Sequence, residues 1–142
     1  MQPEPDIPPI SAAVLQQLRA AAMDAAKKAY CPYSHFPVGS AVLTAEGGIF
    51  SGCNVENASF GLTICAERNA IAQAVAGGST QLTAVVVYTP TPDPTAPCGA
   101  CRQVINEFGP QAEIYGFCDG PNELRVPMTE LLKHAFGPRN LA

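Results

Sequence analysis

Positive charge is scarce in this chain. Of 142 residues only 8 are Lys or Arg, against 12 Asp or Glu, and no run of basic residues occurs. The resulting net charge of −4 repels a phosphate backbone, so non-specific nucleic-acid binding is disfavoured. Long apolar runs are missing as well. The longest apolar tracts are rich in Ala and broken by Gln, Arg and Lys, which is too short for a membrane span. The opening "MQPEPDIPPI" carries prolines and acids where an export signal has basic and then apolar residues. A reducing cytoplasm is therefore the expected location, with no membrane partner. Histidine is nearly absent, and His35 and His134 stand alone, as surface residues do. No internal repeat is present.

What the chain does have is apolar content, 47 % hydrophobic residues against 14 % charged, enough for a packed core and against global disorder. Its length fits one domain. Residues 1–9 read as a flexible proline-rich tail and residues 10–142 as a single domain.

The periodicity places the elements. Ile10, Val14, Leu18, Ala21, Ala25 and Ala29 recur at helical spacing, with Ser11 to cap the start, so a helix is predicted over 11–29. "CPYSHFP" is a loop between prolines. "VGSAVLTAEGGIFSGCNV" is a hairpin, with strands over 38–44 and 49–53. "CAERNAIAQAVAGG" is a second helix with Ile71, Ala74 and Val75 facing inward. "LTAVVVYT" is a continuous β-branched run, the pattern of a central strand buried on both faces. "CGACRQVINEFG" is a third helix, "AEIYGFCDG" and "ELRV" are two more strands, and "PMTELLKHAFG" is a last helix. This α-β-β-α-β-α-β-β-α order implies an α/β fold, a three-layer α/β/α sandwich about one mixed sheet of about five strands.

Six cysteines stand out in such a chain: Cys31, Cys53, Cys65, Cys98, Cys101 and Cys118. In a reduced compartment clustered cysteines hold metal or do chemistry more often than they pair. Cys65 and Cys98 each open a predicted helix, and Cys101 lies one turn beyond Cys98 on the same face. A helix start carries about half a positive charge and free N–H groups, which favour thiolate and prepare sulfur for a metal. The Cys98/Cys101 pair alone also fits a thiol redox site, and all three sulfurs could be buried hydrophobes. The third cysteine and the neighbouring Glu67 favour a catalytic zinc with three protein ligands and one free position. No histidine flanks either group, so Cys65, Cys98 and Cys101 form the economical ligand set.

Three thiolates on a divalent ion leave a net charge of −1, which weakens the ion as an acid. Arg68 and Arg102, in the first turns of the two helices, are placed to donate toward sulfur and offset it. Glu67 is the candidate proton carrier for water on the metal. Cys31, Cys53 and Cys118 fall outside the motif and read as buried free thiols, Cys53 beside Asn54.

"CAE" together with "PCGAC" resembles the zinc nucleoside and nucleobase deaminase signature in its three-cysteine form, a class with a non-ligand Glu as acid/base and attack at C4 of cytosine. Over residues 12–138 the chain resembles the short, homotetrameric cytidine deaminases, through "YCPYSHFPVGSAVLT", "GCNVENASFGLTICAERNAI" and "PCGACRQVINEF". The resemblance implies a zinc-dependent hydrolase that converts cytidine and 2′-deoxycytidine to uridine and 2′-deoxyuridine in pyrimidine salvage. It implies one Zn2+ per subunit with a bound water or hydroxide, held by Cys65, Cys98 and Cys101, with Glu67 as proton shuttle. Asn54 and Glu56 match the pair that holds the ribose hydroxyl, and Phe36 an aromatic against the base. Ala58 and Ala66 match backbone contacts to the ring. Phe60 and Phe136 match positions that reach a neighbouring subunit's site in the family's tetramer. Relatives often carry Tyr where Phe60 stands and Pro where Lys133 stands. Two other readings are a deaminase of another aminated nucleoside-like heterocycle and a non-catalytic zinc-stabilised binding module. Asn54 with Glu56 argues against the first, the intact Glu67 against the second.

Overall fold

The computed structural model describes residues 9–142. The proline-rich tail expected over 1–9 lies, but for Pro9, outside the described residues.

Helix α1 (Ala12–Ala26) starts where Ser11 Oγ accepts a hydrogen bond from the Val14 N–H at 3.2 Å. It buries Leu18, Ala22, Ala25 and Ala26. It ends three residues before the expected 29. The reason is a competing partner: the Tyr30 N–H donates to Asn54 O and its carbonyl accepts from the Glu56 N–H, which holds the chain extended there.

Strands β1 (Gly39–Thr44) and β2 (Ile49–Cys53) form the predicted hairpin, turning through Gly47 in the left-handed region at φ +89°. Strand β3 (Leu82–Tyr88) pairs antiparallel with β1 and parallel with β4 (Glu113–Phe117), and β5 (Leu124–Pro127) closes the far edge antiparallel to β4. The order is β2-β1-β3-β4-β5, so the β-branched run occupies the centre, as its sequence implies. Val85 and Val87 face one side and Ala84, Val86 and Tyr88 the other.

Helix α1 covers the Val86 face together with Tyr115 and Phe117. Helices α2 (Ala66–Ala76), α3 (Gly99–Phe108) and α4 (Met128–Leu131) cover the Val85 face through Ala70, Ile71, Ala74, Ile105 and Met128. The result is the expected α/β/α sandwich. Two glycines let the helices lie this close. A Cβ on Gly39 would stand 1.8 Å from Ala22 O of α1, and one on Gly52 would stand 2.5 Å from Ala70 N of α2.

Two expectations are corrected. Val75 does not face inward; Ala66, Glu67, Ala70, Ile71 and Ala74 fill that side of α2 and turn Val75 to solvent. The last helix stops at Leu131 instead of running to 137. Leu132 leaves helical geometry and His134 takes φ +54°. Arg102 Nη1 donates to Leu131 O at 3.2 Å, a carbonyl that a longer helix would have used internally, and Gln103 Nε2 donates to Phe136 O at 2.9 Å, so α3 tethers the segment that follows.

Candidate active site

The N-termini of α2 and α3 meet on one face of the sheet. Cys65 and Cys98 are their cap residues, both in extended backbone, and neither side chain caps its own helix. That leaves both sulfurs free of local duty. Cys101, in the first turn of α3, is fully buried. The three sulfurs lie within 4.8 Å of one another, and Cys65 Sγ and Cys98 Sγ are 3.8 Å apart. Zinc bound to sulfur at about 2.3 Å with tetrahedral angles separates its ligands by about 3.8 Å. The Cys65–Cys98 spacing equals that figure, and Cys65, Cys98 and Cys101 are positioned to hold a metal ion.

The charges agree with that reading. The Cys65 thiol is pulled down to about 5, first by its hydrogen bond with Cys101 and then by Arg68. Cys101 is pushed up by the same shared hydrogen bond and by burial. Of these two, Cys65 is the one that gives up its proton first. Arg68 Nη2 donates to Cys65 Sγ at 3.5 Å, as expected of it, while its buried Nε has no partner among the described residues.

Arg102 departs from expectation. Its Nε donates to Pro97 O at 2.8 Å and its Nη1 to Leu131 O. It anchors the residue before Cys98 and spends its hydrogen bonds on carbonyls, not on sulfur.

Glu67 is only 4 % exposed, at the second position of α2. Its carboxyl lies in hydrogen-bonding reach of the Cys101 thiol, and burial, with Cys65 close by, raises its pKa above the usual carboxylate range. Ala66, between Cys65 and Glu67, is fully buried.

The residues expected to hold a sugar and a base lie on the 31–37 loop and the chain after β2. Asn54, 7 % exposed, accepts from the Val38 N–H through Oδ1 and donates to Phe36 O through Nδ2, both at 2.9 Å. It clamps the backbone on either side of Pro37 and so fixes Phe36, whose ring is partly exposed. Glu56 accepts from the N–H groups of Tyr33 and Ser34 at 3.0 and 3.1 Å and from the Ser34 hydroxyl. Those bonds, that to the Ser34 hydroxyl first, hold its pKa below the usual range. Ala58 is exposed. Phe60, 73 % exposed on a 3₁₀ turn, meets the Tyr33 ring at 5.7 Å. Phe136, 59 % exposed, is on the C-terminal segment that Gln103 tethers.

Sequence reasoning missed Ser34, Tyr33 and Gln103. Ser34 had one signal, a hydroxyl in a short loop fenced by Pro32 and Pro37. Of the remaining cysteines, only Cys118 is buried, its thiol directed at the carbonyls of Pro92, Gly120 and Asn122. Cys31 and Cys53 are half-buried, and Cys53 lines a groove of about 730 Å³ between α1 and α2. His35 and His134 are exposed, as expected.

Residues 13–117 match the family model of the cytidine and deoxycytidylate deaminase zinc-binding region. The chain is 43 % identical over 123 residues to the cytidine deaminase of Halalkalibacterium halodurans, covering 85 % of this chain and 92 % of that one. The crystal structure of cytidine deaminase from Burkholderia pseudomallei superposes with a TM-score of 0.82 at 43 % identity, over 89 % of this chain and all of that one. That of the Mycobacterium tuberculosis cytidine deaminase gives 0.73 at 38 % identity, over 87 % and 97 %.

Proposed function

The chain belongs to the cytidine and deoxycytidylate deaminase zinc-binding family, and from that premise we propose that it removes ammonia from cytidine and 2′-deoxycytidine, leaving uridine and 2′-deoxyuridine. It is a zinc-dependent deaminase of cytidine, a hydrolase. Residues 10–142 form its catalytic domain in this reading. One observation carries the chemistry: three sulfurs converge at two helix N-termini with a buried carboxyl beside them.

When bound by Cys65, Cys98 and Cys101, zinc supplies an activated water at neutral pH. Glu67 accepts a proton from the attacking water and delivers it to N3 of the ring as C4 becomes tetrahedral. It then takes the proton of the new C4 hydroxyl and passes it to the amine, so that the C4 carbonyl forms as the C–N bond breaks and ammonia leaves. A carboxyl with a raised pKa both takes and returns a proton, which this double duty requires. Phe36 packs on the base, and the backbone at Ala58 and Ala66 meets the ring edge. Asn54 and Glu56 hold the sugar, and an ionised, acceptor-only Glu56 suits a hydroxyl donor. Arg68 offsets the charge of the sulfurs.

We read the working form as a homotetramer with shared sites, to which Phe60 and Phe136 contribute across subunits. The exposed aromatic and aliphatic side chains Tyr30, Tyr33, Phe60, Leu62 and Phe136 support a covering partner of the same chain. Cytoplasmic pyrimidine salvage is the setting that fits reduced, metal-binding sulfurs and a free nucleoside.

The test is ammonia release from cytidine, deoxycytidine, cytosine and CMP, with zinc quantified on the same sample. Turnover of both nucleosides with about one zinc per chain is expected. Preference for cytosine or CMP, or full activity without metal, contradicts the proposal.

A further inference from the structure

Glu56 has four lone-pair sites on its two carboxylate oxygens. The fold uses three of them. Oε1 accepts from the N–H groups of Tyr33 and Ser34, which fills it. Among the described residues, Oε2 accepts from the Ser34 hydroxyl alone. The one acceptor position left for a ligand is therefore on Oε2, the oxygen that Ser34 holds.

Ser34 also faces the other way. Its Oγ accepts from the Phe36 N–H at 3.1 Å, so one hydroxyl links the carboxylate to the backbone of the aromatic residue. His35, between them, is in the left-handed region at φ +55°, a conformation that costs a non-glycine residue and needs such bonds to persist. With no bond from the Ser34 hydroxyl, Oε2 has no partner among the described residues, and only the two N–H bonds to Oε1 still orient the carboxylate.

We propose that Ser34 is a positioning residue for sugar recognition: its hydroxyl orients the free acceptor site of Glu56 toward a nucleoside sugar hydroxyl. This rests on the reading of Glu56 as the sugar acceptor. It goes beyond that reading in making discrimination between sugars depend on a residue that does not itself need to touch the substrate.

The readout is the ratio of KM for 2′,3′-dideoxycytidine to KM for cytidine, measured on zinc-loaded protein. Effects on the base or on the loop as a whole cancel in this ratio, and only contacts to the sugar hydroxyls move it. Ser34→Ala is expected to lower the ratio by roughly tenfold, the size of one charge-assisted hydrogen bond, with kcat changing much less. Ser34→Thr, which keeps the hydroxyl, restores it. Ser34 is exposed, and a single cooperative melting transition shows that the alanine variant is folded. If Ser34→Ala keeps the ratio while Glu56→Ala lowers it, the positioning role is wrong and the sugar reading stands. If both variants keep the ratio, the assignment of Glu56 itself is wrong, and the role of Ser34 goes with it.

Discussion

Substituting Glu67 with Gln removes the proposed proton carrier and little else. The side chains have nearly the same volume, and position 67 is 4 % exposed, packed under the start of α2. Two magnitudes separate the possible roles. If Glu67 only bound substrate, losing one hydrogen bond would cost about 0.5–1.5 kcal/mol, roughly tenfold in rate at most. If it carries the proton, the loss is about 10²–10⁴-fold, or about 2.7–5.5 kcal/mol of transition-state stabilisation. E67Q is therefore expected to lose at least two decades of kcat on cytidine with a smaller change in KM. Zinc content stays at the wild-type level, because the three sulfurs are untouched. The melting temperature does not fall, since the buried carboxyl is held against its desolvation preference and the amide is not. Ammonia release, metal analysis and a thermal scan on one preparation read all three. Turnover within tenfold of wild type, with zinc intact, refutes the assignment.

Cys98→Ala is expected to lose zinc and stability together, because ligand binding and folding are linked, whereas Cys118→Ala keeps zinc since its thiol reaches only carbonyls. Metal analysis of the two variants checks this. Gly52→Ala forces a Cβ to 2.5 Å from Ala70 N, a backbone atom that cannot step aside, and is expected to cost about 1–3 kcal/mol or more in denaturant unfolding. Tyr88 is buried and donates to Asp119, and its pKa is pushed up to about 12, burial first. A folded pKa above the unfolded 10.0 gives stability that is complete below pH 10 and lost as pH rises toward 12. The stability of wild type over Tyr88→Phe is expected to shrink across that window, read by urea midpoints at pH 9 and pH 11.

Particular residues explain what could be read from the sequence. The β-branched run at 82–88 has no helical or amphipathic alternative, so it announces a buried central strand. The zinc cysteines were legible because each stands at a helix start that local chemistry marks, Pro97 and Gly99 around Cys98 and the change of periodicity after Cys65. The end of α1 was not legible, because pairing of Tyr30 with the chain around Val55 decides it, and that partner is 25 residues away. The last helix failed for the same kind of reason: its sequence is compatible with a longer helix, and tertiary bonds from Arg102 and Gln103 cut it short. Ser34 carries only a weak signal in the sequence, because a serine in a proline-fenced loop has many uses and its partner, Glu56, is 22 residues on.

The correction at Arg102 changes how charge balances at the sulfurs. Two arginines at matching helix positions suggested a symmetric arrangement, one donor for each helix. In the fold the symmetry is broken. Arg102 serves geometry: through Pro97 O it fixes the backbone that presents Cys98, and through Leu131 O it ties that backbone to α4. Arg68 serves charge, as the one guanidinium among the described residues that donates to a ligand sulfur. Three thiolates on a divalent ion leave −1. Two helix N-termini of about half a charge each offset roughly that amount, and Arg68 adds a further unit on the Cys65 side. The offset is thus concentrated at α2, the helix that also carries Glu67. In the proposed mechanism a less negative environment there would keep a bound metal acidic enough to activate water, beside a buried carboxyl that takes the proton. In that mechanism one short segment, Cys65 to Arg68, supplies a ligand, a proton carrier and the compensating cation, and α3 supplies the remaining two sulfurs in a frame that Arg102 ties to α4.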